Sequence, residues 1–242
     1  MCPFLTQAMS MMDWMTILII MISVLMILVG EWYQKPWIEY VFKPIASFAF
    51  VWLAIGENLL NHQNLVQNDF EHNLLLALIL SVVGDMFLLS QKDKIFTLGL
   101  FSFLVAHLFY FIAVYNGVSA LDNLALYQEL KMNLQLTMLV IYPICLSILY
   151  FILPDIPKDL KVPSLLYVCV IALMFSSCVA YSLTIHQNQH MLLVASFLFV
   201  SSDWFVAQER YRNGGFWSRF FGLPLYYFAQ IVFALHFQYI PH

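Results

Sequence analysis

The run LLLALILSVVGDMFLLS, residues 74–90, is apolar throughout except for two serines, one glycine and one aspartate. At about 1.5 Å per residue it makes a helix of roughly 25 Å, close to the ~30 Å of hydrocarbon in a bilayer. A helix with no polar face has nothing to turn toward water, so lipid or other helices must surround it. The rest of the chain reads the same way. Hydrophobic residues make up 62% of its 242 residues and charged residues only 10%. A soluble domain carries about 25% charged residues to cover its surface. This chain cannot do so, and an all-α, polytopic membrane protein is expected.

Outward from that run, eight stretches have the length of a membrane span: residues 14–30, 41–60, 74–90, 95–115, 134–153, 163–185, 191–208 and 219–240. They predict one transmembrane domain over the whole chain, a bundle of eight helices. The longest connection, residues 116–133, carries Asp122, Glu129 and Lys131 and is expected along the interface. Pro44, Pro154, Pro163 and Pro224 are read as helix starts or stops. Pro143 falls inside the fifth span and is expected to kink it.

Cations gather on the cytoplasmic side of membrane proteins. Lys35 and Lys43, Lys92 and Lys94, Lys158 and Lys161, and Arg210, Arg212 and Arg219 all fall at odd-numbered loops; only Lys131 falls on the other side. That places the odd loops in the cytoplasm and both termini outside. No cation precedes the first apolar run, so that run reads as a retained span rather than a cleaved leader. The short loops favour a bacterial cytoplasmic (inner) membrane.

The net charge of −4, with no basic run, offers nothing to nucleic acid, and the apolar content excludes disorder. Cys2, Cys145, Cys169 and Cys178 form no CxxC pair and have no metal-ligand spacing. His62, His72, His186, His190 and His242 fall in loops or at the terminus on the outer side. His186 and His190 flank a polar turn, which weakens the i, i+4 spacing that could hold zinc on a helix. No metal site is expected.

An ionisable group inside a span is costly unless paired or hydrated, which marks it as a functional candidate. Glu57 and His236 lie near outer helix ends and can snorkel to the interface. Asp85 and Asp203 cannot. Each precedes a charged loop by six residues, counting loops from Gln91 and Glu209, so both are expected about 9 Å below the same face. Lys43 opens the second span, Tyr167 lies a turn into the sixth, and Tyr226, Tyr227 and Gln230 lie a few turns into the eighth. His107 and Tyr110 share a face of the fourth span, deeper in. A cavity open to the cytoplasmic leaflet would collect these groups. Structural interhelical hydrogen bonds would use the same residue types.

At these positions the chain resembles the YhhN family of lysoplasmalogenases. The resemblance is carried by YVFKP at 40–44, VVGDMFLL at 82–89, GLFSFLVAHLFY at 99–110, FLFVSSDWFVAQERY at 197–211 and LYYFAQ at 225–230. It implies hydrolysis of the vinyl ether of 1-alkenyl lysophospholipids, giving a fatty aldehyde and glycerophosphocholine or glycerophosphoethanolamine. It implies no metal or organic cofactor, and no partner beyond the lysophospholipid substrate and membrane lipids. By the same resemblance Lys43, Asp85, His107, Tyr110, Asp203, Tyr226, Tyr227 and Gln230 become candidate site residues, with Tyr40 beside Lys43 in the first motif.

The chemistry suits two carboxyl groups. Vinyl ether hydrolysis begins with a proton added to the carbon beta to oxygen. Water then attacks the oxocarbenium carbon, and the hemiacetal collapses to aldehyde and alcohol. Glycosidases divide the same tasks between two carboxyl groups. One of Asp85 and Asp203 would carry the proton; the other, ionised, would steady the cation and accept a proton from water. Lys43, nearer the surface, could hold the phosphate as a point charge.

Other membrane chemistries fit less well. An intramembrane aspartyl protease with GxGD would need glycine where this chain has Val82. A zinc hydrolase would need three converging histidines, and the inner side offers only His107. A transporter or proton-coupled carrier using the paired aspartates is the main alternative.

Overall fold

The computed structural model describes residues 9–61, 64–66, 68–90, 92–119, 123–185, 190–212 and 214–239. They form eight α-helices: α1 (Met11–Trp32), α2 (Pro36–Leu60), α3 (Asp69–Leu88), α4 (Asp93–Ser119), α5 (Leu124–Ile152), α6 (Lys161–Thr184), α7 (Met191–Arg212) and α8 (Gly215–Tyr239). Each contains a stretch long and apolar enough to cross a bilayer. The all-α, eight-span reading is the architecture observed.

Local chemistry sets several boundaries. Ser10 and Asp13 cap α1 reciprocally, each side chain taking the other's backbone N–H. Asn68 accepts the N–H of Glu71 to open α3, and Asn123 accepts those of Ala125 and Leu126 to open α5. Gly215, at a φ of 58°, lets the chain reverse between α7 and α8.

Consecutive helices pair as hairpins, α1 with α2, α3 with α4, α5 with α6, and α7 with α8. α8 sits at the centre, touching α1, α2, α3 and α7, and α4 closes the bundle against α6. α5 lies outside, packed on α6 with little contact to α4. In α8's apolar stretch 61% of residues are buried, against 17% in α5. With no hydrophobic effect between helices in lipid, close approach depends on small residues. Gly84 is one such point, since a Cβ there would lie 2.6 Å from the Phe103 ring of α4.

Several expectations need correction. The interfacial connection at 116–133 shrinks to a few residues, because α4 continues to Ser119 and α5 begins at Leu124. Leu124, Tyr127, Leu130 and Leu134 recur at helical spacing, and Leu130 is buried. Pro44 and Pro224 lie inside α2 and α8 rather than at their ends. Pro143 lies inside α5, as expected of the fifth span. Membrane helices tolerate such prolines when neighbouring groups satisfy the freed backbone. His72 belongs to the first turn of α3, not to a loop. His236 does not snorkel: it is buried, edge-on to Phe70 at 5.6 Å between ring centroids, because central α8 has no lipid face there. The Glu57 side chain, His62, His186 and His242 lie outside the described residues, and His190 bonds Ser182 at 2.6 Å.

Candidate functional site

A cavity of about 820 Å³ lies in the half of the bundle that carries the cationic loops. Lys43, Asp85, Tyr167, Asp203 and Tyr226 all line it. They come from α2, α3, α6, α7 and α8, so the tertiary fold assembles the site from distant sequence.

Asp85 is buried, and its Oδ2 accepts two hydroxyl donors, Ser47 Oγ and Tyr226 Oη, each at 2.7 Å. Ser47 has given its one proton to Asp85, so it accepts from Tyr227 Oη at 3.1 Å. Tyr227 Oη also lies 3.4 Å from the Lys43 carbonyl. A carboxylate collecting two O–H donors in a low-dielectric site is a strong arrangement. Phe50 and Phe103 pack edge-on against Tyr226 and hold its ring in place.

Asp203 stands in a second cluster. Tyr167 Oη donates to its Oδ2 at 2.7 Å. The phenol oxygen is thus free to accept, and His107 Nε2 lies 3.1 Å from it and 3.6 Å from the carboxylate. His107 is fully buried, and its Nδ1 has no partner among the described residues. The network places a proton on His107 Nε2, donated to the Tyr167 oxygen. The Asp203 side chain keeps 19% of its surface exposed, toward the cavity.

The clusters meet through aromatic rings. Phe199 packs against both His107, at 4.6 Å, and Tyr226, at 5.4 Å. Tyr110 and Gln230 lie behind this wall. Tyr110 donates to Gln230 Oε1 at 2.9 Å and stacks on Phe233 at 4.1 Å. Neither lines the cavity, and neither do His107 and Tyr227, which act on it through one intervening side chain. Tyr40 is 53% exposed and stands apart from the cavity.

Two position arguments from sequence change. Lys43 lies two turns inside α2, because the helix starts at Pro36. The equal spacing of the aspartates from their loops does not hold: α3 ends three residues beyond Asp85, whereas α7 continues nine residues beyond Asp203 to Arg212. The carboxylates share a cavity although their helices continue for different lengths beyond them.

The mouth holds a charge network that the sequence reading missed. Arg219 bonds Glu31 at 2.6 Å, is paired with Glu39, and lies 3.6 Å from Glu209. Lys43 Nζ lies 3.5 Å from Glu39. The only advance signal was the i, i+4 spacing of Glu39 and Lys43. Ser47, which bonds Asp85 as closely as Tyr226 does, gave none.

Among known proteins, the model of the YhhN family matches residues 38–237. No curated protein and no solved structure matches the chain.

Proposed function

The chain belongs to the YhhN family, and from that membership and the two-aspartate cavity we propose that it is a lysoplasmalogenase, hydrolysing the vinyl ether of 1-alkenyl lysophospholipids. One observation carries the reading: two carboxylates from different helices, each held by a tyrosine hydroxyl, face one cavity with a lysine at its charged end.

The two environments divide the work. Asp85, with two hydroxyl donors on one oxygen, is oriented to steady the oxocarbenium. Asp203, with one phenol donor and partial exposure to the cavity, delivers the proton to the vinyl carbon. Water attacks the resulting cation and loses a proton to the Asp203 carboxylate. Collapse of the hemiacetal releases aldehyde and returns a hydrogen to the glycerol oxygen. His107, through Tyr167, keeps the Asp203 carboxyl oriented. Lys43 meets the phosphate. No cofactor is required by this sequence of steps.

A carrier using the same aspartates needs access from both faces. Beyond the cavity, Tyr110, Phe233, Phe50, Leu78 and Phe237 are buried in a packed core, which favours a one-sided site. The cation-rich end is read as cytoplasmic. In a chain otherwise stripped of cysteine, Met11→Cys is then labelled by an impermeant maleimide in intact cells. Labelling only after lysis reverses the orientation.

The deciding experiment is aldehyde release by purified protein from a 1-alkenyl lysophospholipid, with the 1-acyl lipid as control. Aldehyde from the alkenyl lipid alone, lost in both Asp85→Asn and Asp203→Asn at unchanged thermal stability, supports the reading. No aldehyde from folded wild-type protein removes it.

A further inference from the structure

The cavity is not enclosed on all sides. Ile148 on α5 and Phe197 and Trp204 on α7 line it, yet they are 42%, 58% and 38% exposed. α5 and α7 share no extended packed face, although the residues of both border the cavity. The floor between them is α6, through Val168 and Ile171. At the cationic end the gap is closed. There Leu149, Ile152 and Ile156 pack against Ala207 and Tyr211, and Arg212 ties α7 to Asp155 and to the Phe151 carbonyl. Above that plug, the wall between α5 and α7 is open.

Depth identifies what the opening faces. Trp204 lies about 12 Å and Phe197 about 22 Å from the end of α7 at Arg212. Those positions meet hydrocarbon, not water. Above the plug, the groove along α7 from Ala207 to Phe197 is about 15 Å long, matching the roughly 15 Å depth of one leaflet's hydrocarbon. Ile148, Val168, Ile171, Phe197, Val200 and Trp204 supply apolar lining along it, and the same cavity holds Asp203, Asp85 and Lys43.

We propose that the α5–α7 groove, floored by α6, is the binding site for the single hydrocarbon chain of the substrate, and that a lysolipid reaches Asp85 and Asp203 sideways from the bilayer through it. The proposal rests on the lysophospholipid reading above. It selects against lipids with two chains, because the helices that enclose the rest of the cavity pack on one another and leave one groove for one chain. It also accounts for a single cavity that joins the cations Lys43, Arg210 and Arg219 to apolar side chains such as Ile171 and Phe197: the ligand is an amphiphile.

The test uses a 1-O-alkyl lysophosphatidylcholine with a diazirine near the end of its chain, added to the full-length protein in lipid nanodiscs. Its saturated ether has no vinyl group to protonate, so the result does not depend on turnover. Irradiation is expected to leave adducts on the peptides containing Ile148, Val168 and Ser201. Unlabelled lysolipid should compete for them, and diacyl phosphatidylcholine should not. Ser201→Trp or Ile148→Trp, folded by thermal melting, should lower the adducts at least about tenfold. Adducts spread over the lipid-facing surfaces of other helices, or unchanged in both variants, overturn the groove. Groove adducts without aldehyde from the alkenyl lipid keep the groove and remove the hydrolase reading. Aldehyde release with adducts elsewhere does the reverse.

Discussion

Asp85 and Asp203 differ in what they are given. Asp85 has hydroxyl donors from two helices, and Asp203 has one phenol backed by a histidine. The contrast separates kcat from KM. Tyr226→Phe removes one charge-assisted hydrogen bond to Asp85, worth about 1.5–3 kcal/mol. If Asp85 steadies the cation, kcat should fall roughly 10- to 100-fold with little change in KM. Lys43→Ala should do the opposite, raising KM at nearly constant kcat. Steady-state kinetics on both variants checks this, and a large kcat loss for Lys43→Ala would sink the phosphate role. The aspartates, Lys43 and Tyr226 were legible in the sequence because an ionisable or phenolic group stands out in an apolar run. Ser47, Glu39 and Arg219 were not. Serine is ordinary in a membrane helix, and an arginine near a helix end has a sufficient explanation in topology alone.

At the scale of elements, the spans were legible because apolar length is enforced by the bilayer, whereas helix ends are not. α5 shows the difference. Its first turns carry Glu129 and Lys131, polar enough to read as a loop, yet Leu130 is buried and Lys131 lies over the Tyr127 ring. Helical spacing was present in that segment, but weighting by polarity hid it. The pairing of Gly84 with Asp85 also has a reason visible only in three dimensions. The glycine lets α4 approach closely enough for Phe103 to reach the Tyr226 ring, which bonds Asp85. Gly84→Val must push Phe103 aside, and overpacking of this kind costs about 1–3 kcal/mol. The expected result is a lower melting temperature in detergent, with Gly84→Ala milder. An unchanged melting temperature for the valine variant would contradict the close α3–α4 contact.

Over the whole molecule, the chain is a well-packed bundle with one loosely attached member. α5 is held by α6 along its length and by Arg212 at one end, and lipid covers most of the rest. The sequence could not show this asymmetry, since α5 is as apolar as its neighbours and only their contacts distinguish it. The attachment has a mechanical consequence. A helix whose outer face bears on acyl chains feels their lateral pressure, and here an inward displacement narrows the space beside α7. Cone-shaped lipids, which crowd the chain region, should therefore raise KM. Wild-type protein reconstituted with an increasing fraction of unsaturated phosphatidylethanolamine, at fixed substrate mole fraction, provides the measurement. A flat response would mean α5 is rigid against its neighbours. Single-chain lipids have the opposite shape and relieve crowding in the same region. By loosening the membrane around the protein, an accumulating lysolipid would hasten its own removal.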